Sequence, residues 1–448
     1  MPKTLLLLVF LVLGPGLSLS TAASKFDQPR DLKADEVMPA EWVKGTHYKL
    51  RPKVFLSGDQ SQGQTFFNFE METEFGLFKI ESIPLLHIRI HEANVLGRSE
   101  ELRGENQVLA GIGESLKQMG TNLIDVITDP VGTIKAIPKW LVKMYKRVRG
   151  VAGAEKQDRF QHQDSVIEGT LTGGWKRKIA YDLRVDVYTN NPVLRELLQQ
   201  MANYQAAGGN LLRVASWFVG GPVSLALQAQ RFGGWRKQLR DNSAGDLAQY
   251  NNERMTDWGL NQKERDSFQD NPILSPVHKT VVLNAVEQLG SVPGRFLLLE
   301  PGRKAKTEAQ ALLLERTAVR ILGYHQKQAP LTEIRLVRGL FACQDAKGRI
   351  VVPFLSDYLN WSPKLAELFR RVSGKAGKAQ KILLHQARLT PLALKNLKDL
   401  NFTFLAADQA IPDAAIDLRA VPEPNPDPKR AFPSQPQHAS DPGSSRGP

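Results

Sequence analysis

Thr65-Phe66-Phe67-Asn68-Phe69-Glu70-Met71-Glu72-Thr73-Glu74-Phe75-Gly76 decides what kind of chain this is. Its apolar and acidic positions alternate, the period of a strand with one face in a core. Gly76 turns the chain into Leu77 to Glu81, giving a hairpin, and from Pro84 to Leu96 the spacing becomes helical. Helical periods then dominate the rest, so the expected class is α+β, mostly helical. The chain divides into an N-terminal β-hairpin plus helices (45–150), a central apolar helical region (151–270) and a C-terminal mixed α/β domain (271–410). In front of the hairpin, 24–44 is polar and Pro-punctuated and reads as an arm.

The helix after the hairpin carries His87 and His91 four residues apart, the spacing two metal-ligating imidazoles need. Ile88 stands where the H-E-x-x-H pattern requires its glutamate, so both are read as structural and neither metal nor cofactor is expected. Cys343 is the chain's single cysteine, which excludes an intrachain disulfide; inside Leu340-Phe341-Ala342-Cys343 it reads as a core residue.

A second helical run covers Val108 to Ile127 and ends at Asp129-Pro130. Beyond it Ile134 to Val148 sets Ile137, Leu141, Met144 and Val148 on one stripe. Lys135, Lys139, Lys143, Lys146 and Arg147 surround that stripe with no acidic residue, and Trp140 and Tyr145 flank it. Apolar burial and attraction to anionic lipid act together on such a helix, so these seven basic and aromatic residues are the expected membrane- or anion-binding set. An ordinary helix with its stripe on a core is the competing reading. Trp175-Lys176-Arg177-Lys178 forms a second basic cluster, and 59 Lys+Arg against 46 Asp+Glu leave a net charge of +13. Anionic lipid or a cell-wall polymer is the expected partner. Nucleic acid is not, because neither zinc knuckles nor a basic helix with stacking aromatics occurs.

The segment Asn191 to Tyr204 reads as a helix with Pro192 in its first turn. Leu211 to Leu227 is apolar, with Gly220-Gly221-Pro222 in its middle, and reads as a buried, closely packed segment rather than a membrane insertion.

Several motifs in order resemble a family of exported bacterial proteins with no assigned activity. They are Phe75-Gly76-Leu77-Phe78 leading into Arg89-Ile90-His91-Glu92, then Asp129-Pro130-Val131-Gly132-Thr133-Ile134-Lys135, then Val185 to Leu194. Asn271-Pro272 with Ser275-Pro276-Val277-His278, Gly323-Tyr324-His325 and Leu389-Thr390-Pro391-Leu392-Ala393 continue the series. The resemblance implies a bacterial envelope setting and supplies no catalytic residue. Where the family motif has Asp-Pro-Tyr this chain has Asp186-Val187-Tyr188, a change expected to loosen that turn.

Ala305 to Tyr324 reads as a long helix. Ile334 to Cys343, Asp345 to Gly348 and Arg349 to Phe354 read as strand, turn and strand, and Lys381 to Gln386, Pro391 to Leu400 and Asn401 to Ala406 as strand, helix and strand. From Ile411 to Pro448 proline, serine and charge dominate, the composition of a disordered tail.

Two functions compete. A non-enzymatic envelope protein resting on an anionic surface has the basic helix in its favour. A secreted or periplasmic hydrolase would need a site assembled from His278, His325 and His385 with carboxylates such as Asp345 and Asp357. Catalytic residues are not assigned, and the first reading is preferred.

At the front, Lys3 precedes the apolar run Leu5 to Leu13, too short to span a bilayer, and Ser20-Thr21-Ala22-Ala23 supplies the small residues of a cleavage site. Residues 1–23 are therefore expected to be a signal peptide and the protein to be exported, to a periplasmic or extracellular location. The mature chain should begin at Ala23 or Ser24; an intact Met1 in the mass spectrum of the exported protein would show otherwise.

Overall fold

The computed structural model describes residues 25–27, 32–57, 65–105, 172–207 and 236–407. The expected signal peptide, the expected helices Val108–Ile127 and Ile134–Val148, the apolar segment Leu211–Leu227 and the tail from Ile411 lie outside them. The class is α+β and mostly helical.

Strand β4 (Phe66–Thr73) organises the first sheet. Its alternation buries Phe67, Phe69 and Met71 and leaves Asn68, Glu70 and Glu72 more open. β5 (Gly76–Glu81) pairs along one edge, and β2 (Tyr48–Leu50) and β3 (Lys53–Ser57) share the other. These two are one path interrupted at Arg51-Pro52, where proline has no N–H to give the ladder. β1 (Leu32–Lys33) pairs with β3, the short helices α1 (Ala34–Val37) and α2 (Ala40–Val43) follow it, and Leu32, Ala34 and Met38 are buried against the sheet. The stretch read as a polar arm is therefore a docked edge. Trp42 stacks on His87 at 4.2 Å, and the Asp27 carboxylate takes the Trp361 N–H at 2.6 Å and the Thr390 hydroxyl at 2.5 Å. Its apolar residues were too few and too widely spaced to show a period.

Helix α3 (Ile83–Glu105) packs on this sheet through Leu86, Ile90 and Ala93. It outruns the expected Leu96, since Gly97 is required by a close approach: a Cβ there would lie 2.2 Å from the His47 ring. Phe75, at the hairpin turn, leaves the first core and joins Val95 and Leu96 against α4 (Thr172–Leu183) and α5 (Pro192–Ala206). In α5 the Asn191 side chain caps Val193 and Leu194 N–H ahead of Pro192, a preformed helix start.

Helices α6 (Arg236–Asp241), α7 (Ala244–Asp257) and α8 (Gln262–Gln269) lead to α9 (Pro276–Gln288), which is buried on nearly every side. After a 3-10 turn and the short α10 (Glu300–Lys304), α11 (Glu308–Lys327) lies along α9 with Ala311, Leu312, Leu314, Ala318, Ile321 and Leu322 inside.

The second sheet has the order β12-β10-β8-β7-β6. β6 (Leu331–Val337), β7 (Leu340–Asp345) and β8 (Ile350–Phe354) form an antiparallel meander, while β8, β10 (Lys381–His385) and β12 (Phe402–Ala406) are parallel. The single strand expected over Ile334–Cys343 is two, because Arg338 and Gly339 both take positive φ, the backbone of a tight hairpin turn. Cys343, Val351, Ile382 and Leu384 face the helical core that includes α11; Ala342, Val352, Phe354 and Leu383 face α12 (Pro363–Ala376) and α13 (Pro391–Asp399). Cover on both faces explains the near-continuous apolar runs of these strands. A two-stranded parallel pair, β9 (Tyr358–Leu359) with β11 (Arg388–Leu389), sits beside it.

The two sheets meet at Asp357, whose Oδ2 accepts the N–H of Phe67 at 3.0 Å and of Ile83, the first residue of α3, at 2.9 Å. Asp357→Ala strands both donors in a buried site and should cost about 3 kcal/mol in urea unfolding, while Asp357→Asn, which keeps an acceptor, should cost less. Equal stability of the alanine variant and wild type would remove this bridge from the fold.

Candidate functional site

A buried polar cluster lies where α3, the 186–191 turn and α11 meet. Arg89 and Glu92, one helical turn apart, pair at 2.8 Å, and Arg89 reaches Glu308 at 2.6 Å. Glu92 also accepts from the Thr189 hydroxyl at 2.5 Å and the Asn191 amide at 3.1 Å. Burial alone would lower the Arg89 pKa, but Glu308 and Glu92 outweigh it and hold the guanidinium charged. Arg89, Glu92, Thr189 and Asn191 thus form with Glu308 an ionic network that joins three segments. Asp186 accepts the Tyr188 N–H at 2.9 Å, so the turn expected to be loose is closed.

His87, His91, His278, His325 and His385 each have their own scaffold. His91 donates from Nε2 to the Leu183 carbonyl at 3.1 Å, satisfying an orphan acceptor at the end of α4. His87 lies under Trp42, and burial, helped by the nearby Arg316 charge, lowers its pKa to about 3. His278 Nδ1 accepts the Ser275 N–H at 3.1 Å and contacts the Ser275 hydroxyl at 3.0 Å, with Glu315 at 3.6 Å from Nε2. That order of side chains looks like a nucleophile, a base and an orienting carboxylate. The hydroxyl, however, also accepts the His278 N–H at 3.3 Å and both residues are buried, so the arrangement caps α9. His325 accepts the Leu331 N–H at 2.9 Å, and His385 pairs with the Ala387 carbonyl at 3.2 Å.

Glu315 beside His278 and Gln326 beside Gln288 show α9 and α11 running side by side in one direction. His325, ten residues beyond Glu315, therefore lies about 15 Å along the axis from His278. His278 and His325 are therefore not brought together. Among the described residues no group of three His, Cys, Asp or Glu side chains could hold a metal ion.

The carboxylates proposed for a hydrolytic site are likewise structural. Asp345 binds Arg349 at 2.7 Å and the Tyr324 hydroxyl at 2.9 Å; burial would raise its pKa, but the hydrogen bonds from Arg349 and Tyr324 hold it low. Burial raises Asp357 to about 7, against its two N–H donors and Arg316. Cys343 is fully enclosed, and burial pushes its thiol up to about 12, the reverse of an activated thiolate.

Of the expected anion-binding residues, Lys135, Lys139, Trp140, Lys143, Tyr145, Lys146 and Arg147 lie outside the described residues. The second basic cluster lies on α4. Lys178 sits 5.2 Å over the Trp175 ring, Lys176 is buried, and Arg177 lines a cleft with Tyr181, Arg184 and Arg240. Sequence reading found this cluster but overlooked the cleft. Its only signal was Arg177 and Arg184 at i and i+7, on one side of a helix. No family model, curated protein or solved structure matches the chain.

His87 and Asp357 have opposite pH dependences. With its folded pKa depressed from 6.5 to about 3, His87 contributes stability above pH 6.5 that is lost as pH falls toward 3. With its folded pKa raised from 3.8 to about 7, Asp357 contributes stability below pH 3.8 that is lost as pH rises through 7. Between pH 4 and 6.5 the two nearly offset, each by about 3 kcal/mol. Urea unfolding across that range should give a flat wild type, His87→Leu losing stability as pH rises, and Asp357→Asn gaining it. Flat profiles in both variants would contradict the assignment.

Proposed function

We propose that this is an exported, non-enzymatic protein of the bacterial envelope that associates with an anionic surface, lipid head groups or a cell-wall polymer. The observation that carries the reading is the pattern of Ile134–Val148: an apolar stripe among Lys135, Lys139, Lys143, Lys146 and Arg147, with Trp140 and Tyr145 at its flanks and no acidic residue. Two further facts support it. The whole chain carries +13, and the candidate catalytic side chains among the described residues have structural partners. No described helix is long and apolar enough to cross a membrane.

The physical argument is additive. Each basic side chain near a charged leaflet contributes on the order of 1 kcal/mol, salt screens that attraction, and the stripe contributes apolar burial that salt does not remove. A helix that packs its stripe on a core instead keeps its lysines in water, where they add little to stability.

Co-sedimentation with anionic vesicles should therefore fall as salt rises, and neutral vesicles should retain little protein. Replacing Lys139, Lys143 and Lys146 together with Gln should weaken anionic-vesicle binding at least tenfold and leave the unfolding midpoint in place. Binding indifferent to lipid charge and to the triple substitution would return the helix to the core and overturn the proposal.

A further inference from the structure

The turn that ends α4 is built on an unusual residue. Val185 N–H bonds back to the Ala180 carbonyl at 2.9 Å and Arg184 N–H to the Tyr181 carbonyl at 3.1 Å, the paired bonds of a Schellman cap. Such a cap needs its residue after the helix in the left-handed region, and Arg184 stands there at φ 59. Glycine commonly fills that place, because a Cβ in this conformation crowds the following carbonyl. Strain kept at a defined position is a reason to ask what the side chain does.

Arg184 lines the cleft in which Arg177 and Arg240 also take part. Ala180, Val185, Val187, Leu239 and Val277 form its apolar wall, where charge–charge attraction is stronger than in water. Tyr181 stacks under Arg240 at 5.1 Å, and the Arg177 Nε–H reaches the Arg240 carbonyl at 3.4 Å, which ties α4 to α6. Carboxylates are present as well. Asp241 pairs with Arg240 at 2.6 and 3.0 Å, Asp186 gives one oxygen to the Tyr188 N–H, and Asp182 is close enough to act on Arg240. The enclosed space is about 30 Å³, room for a water or two but not for a sugar or an acyl chain. A ligand must therefore present a compact charged end to the arginines and keep its remainder outside. Planar guanidinium groups match the oxygens of phosphate in pairs, and a doubly charged group competes best with the resident carboxylates.

We propose that the cleft between α4 and α6 is an oxyanion site that takes a phosphate group, with Arg184 held in the left-handed turn so that its guanidinium joins those of Arg177 and Arg240. The site goes beyond the surface reading and shares no residue with it. The phosphate could arrive as the free ion or as the monoester of a lipid head group, and the two are separable.

The full mature chain is unfolded thermally in inorganic phosphate and in sodium chloride of equal ionic strength. Phosphate in large excess should raise the midpoint by roughly 2–4 °C over chloride. Arg184→Gly should melt at or above wild type in chloride, since glycine relieves the turn, yet lose the phosphate shift; a merely structural arginine would show no such split. Arg240→Gln, which leaves the turn untouched, should weaken phosphate binding by about tenfold or more in calorimetry. A preference for phosphatidic acid over phosphatidylserine vesicles, lost in Arg184→Gly, assigns the head group; a phosphate shift without that preference assigns the free ion. Equal midpoints in phosphate and chloride, or an undiminished shift in Arg184→Gly, would overturn the proposal.

Discussion

A carboxylate buried between two sheets is the constraint on which most of this molecule depends. Asp357 supplies an acceptor to the backbone of β4 and to the first residue of α3, and no nearer group replaces it. Without it the start of a long helix and the central strand of the first sheet would bury unpaired N–H groups. The helix N-terminus in turn favours the ionised form, while its surroundings favour the neutral one. The fold holds a group there whose protonation lies near neutrality, and the oppositely shifted His87, close to the same Arg316, offsets it.

The Arg89–Glu92–Glu308 network acts in a complementary way. Asp357 fixes backbone; the network fixes three side-chain-bearing segments in register. Its hydrogen bonds compensate the desolvation of two ions whose exposure is only 4% and 1%. A hydrophobic replacement of equal volume could be as stable, so such a network is better understood as selecting one arrangement of α3, the 186–191 turn and α11 than as a reserve of stability.

How much could be read from the residues alone depended on how local the governing interaction was. Phe67, Phe69 and Met71 announced the first sheet because alternation is visible over a few residues, and the helix containing Ala311 to Leu322 did so for the same reason. The Arg338-Gly339 turn was hidden because apolar residues, Leu336-Val337 before it and Leu340-Phe341 after it, continue on either side. Tyr48 to Ser57 escaped because its pieces are short and broken by Pro52. Site residues were less legible still. His278 and Asp345 looked chemical as residue types, but their partners are backbone groups and neighbouring side chains that only the fold supplies. The left-handed backbone of Arg184 carried no signal, because nothing in an arginine announces that conformation.

Asp27 joined to Trp361 and Thr390, and Phe67 and Ile83 joined to Asp357, make the earliest part of the chain wait for the latest. Contacts separated by 274 to 363 residues carry a large loop-closure cost that is recovered only when both ends are present. During synthesis the first sheet can collapse but cannot settle, and its β1–β3 edge stays without its native cover until residues near 390 have emerged. A chain arranged in this way does not acquire its structure from the N-terminus forward. It closes when the segments that carry Asp357 and Thr390 arrive.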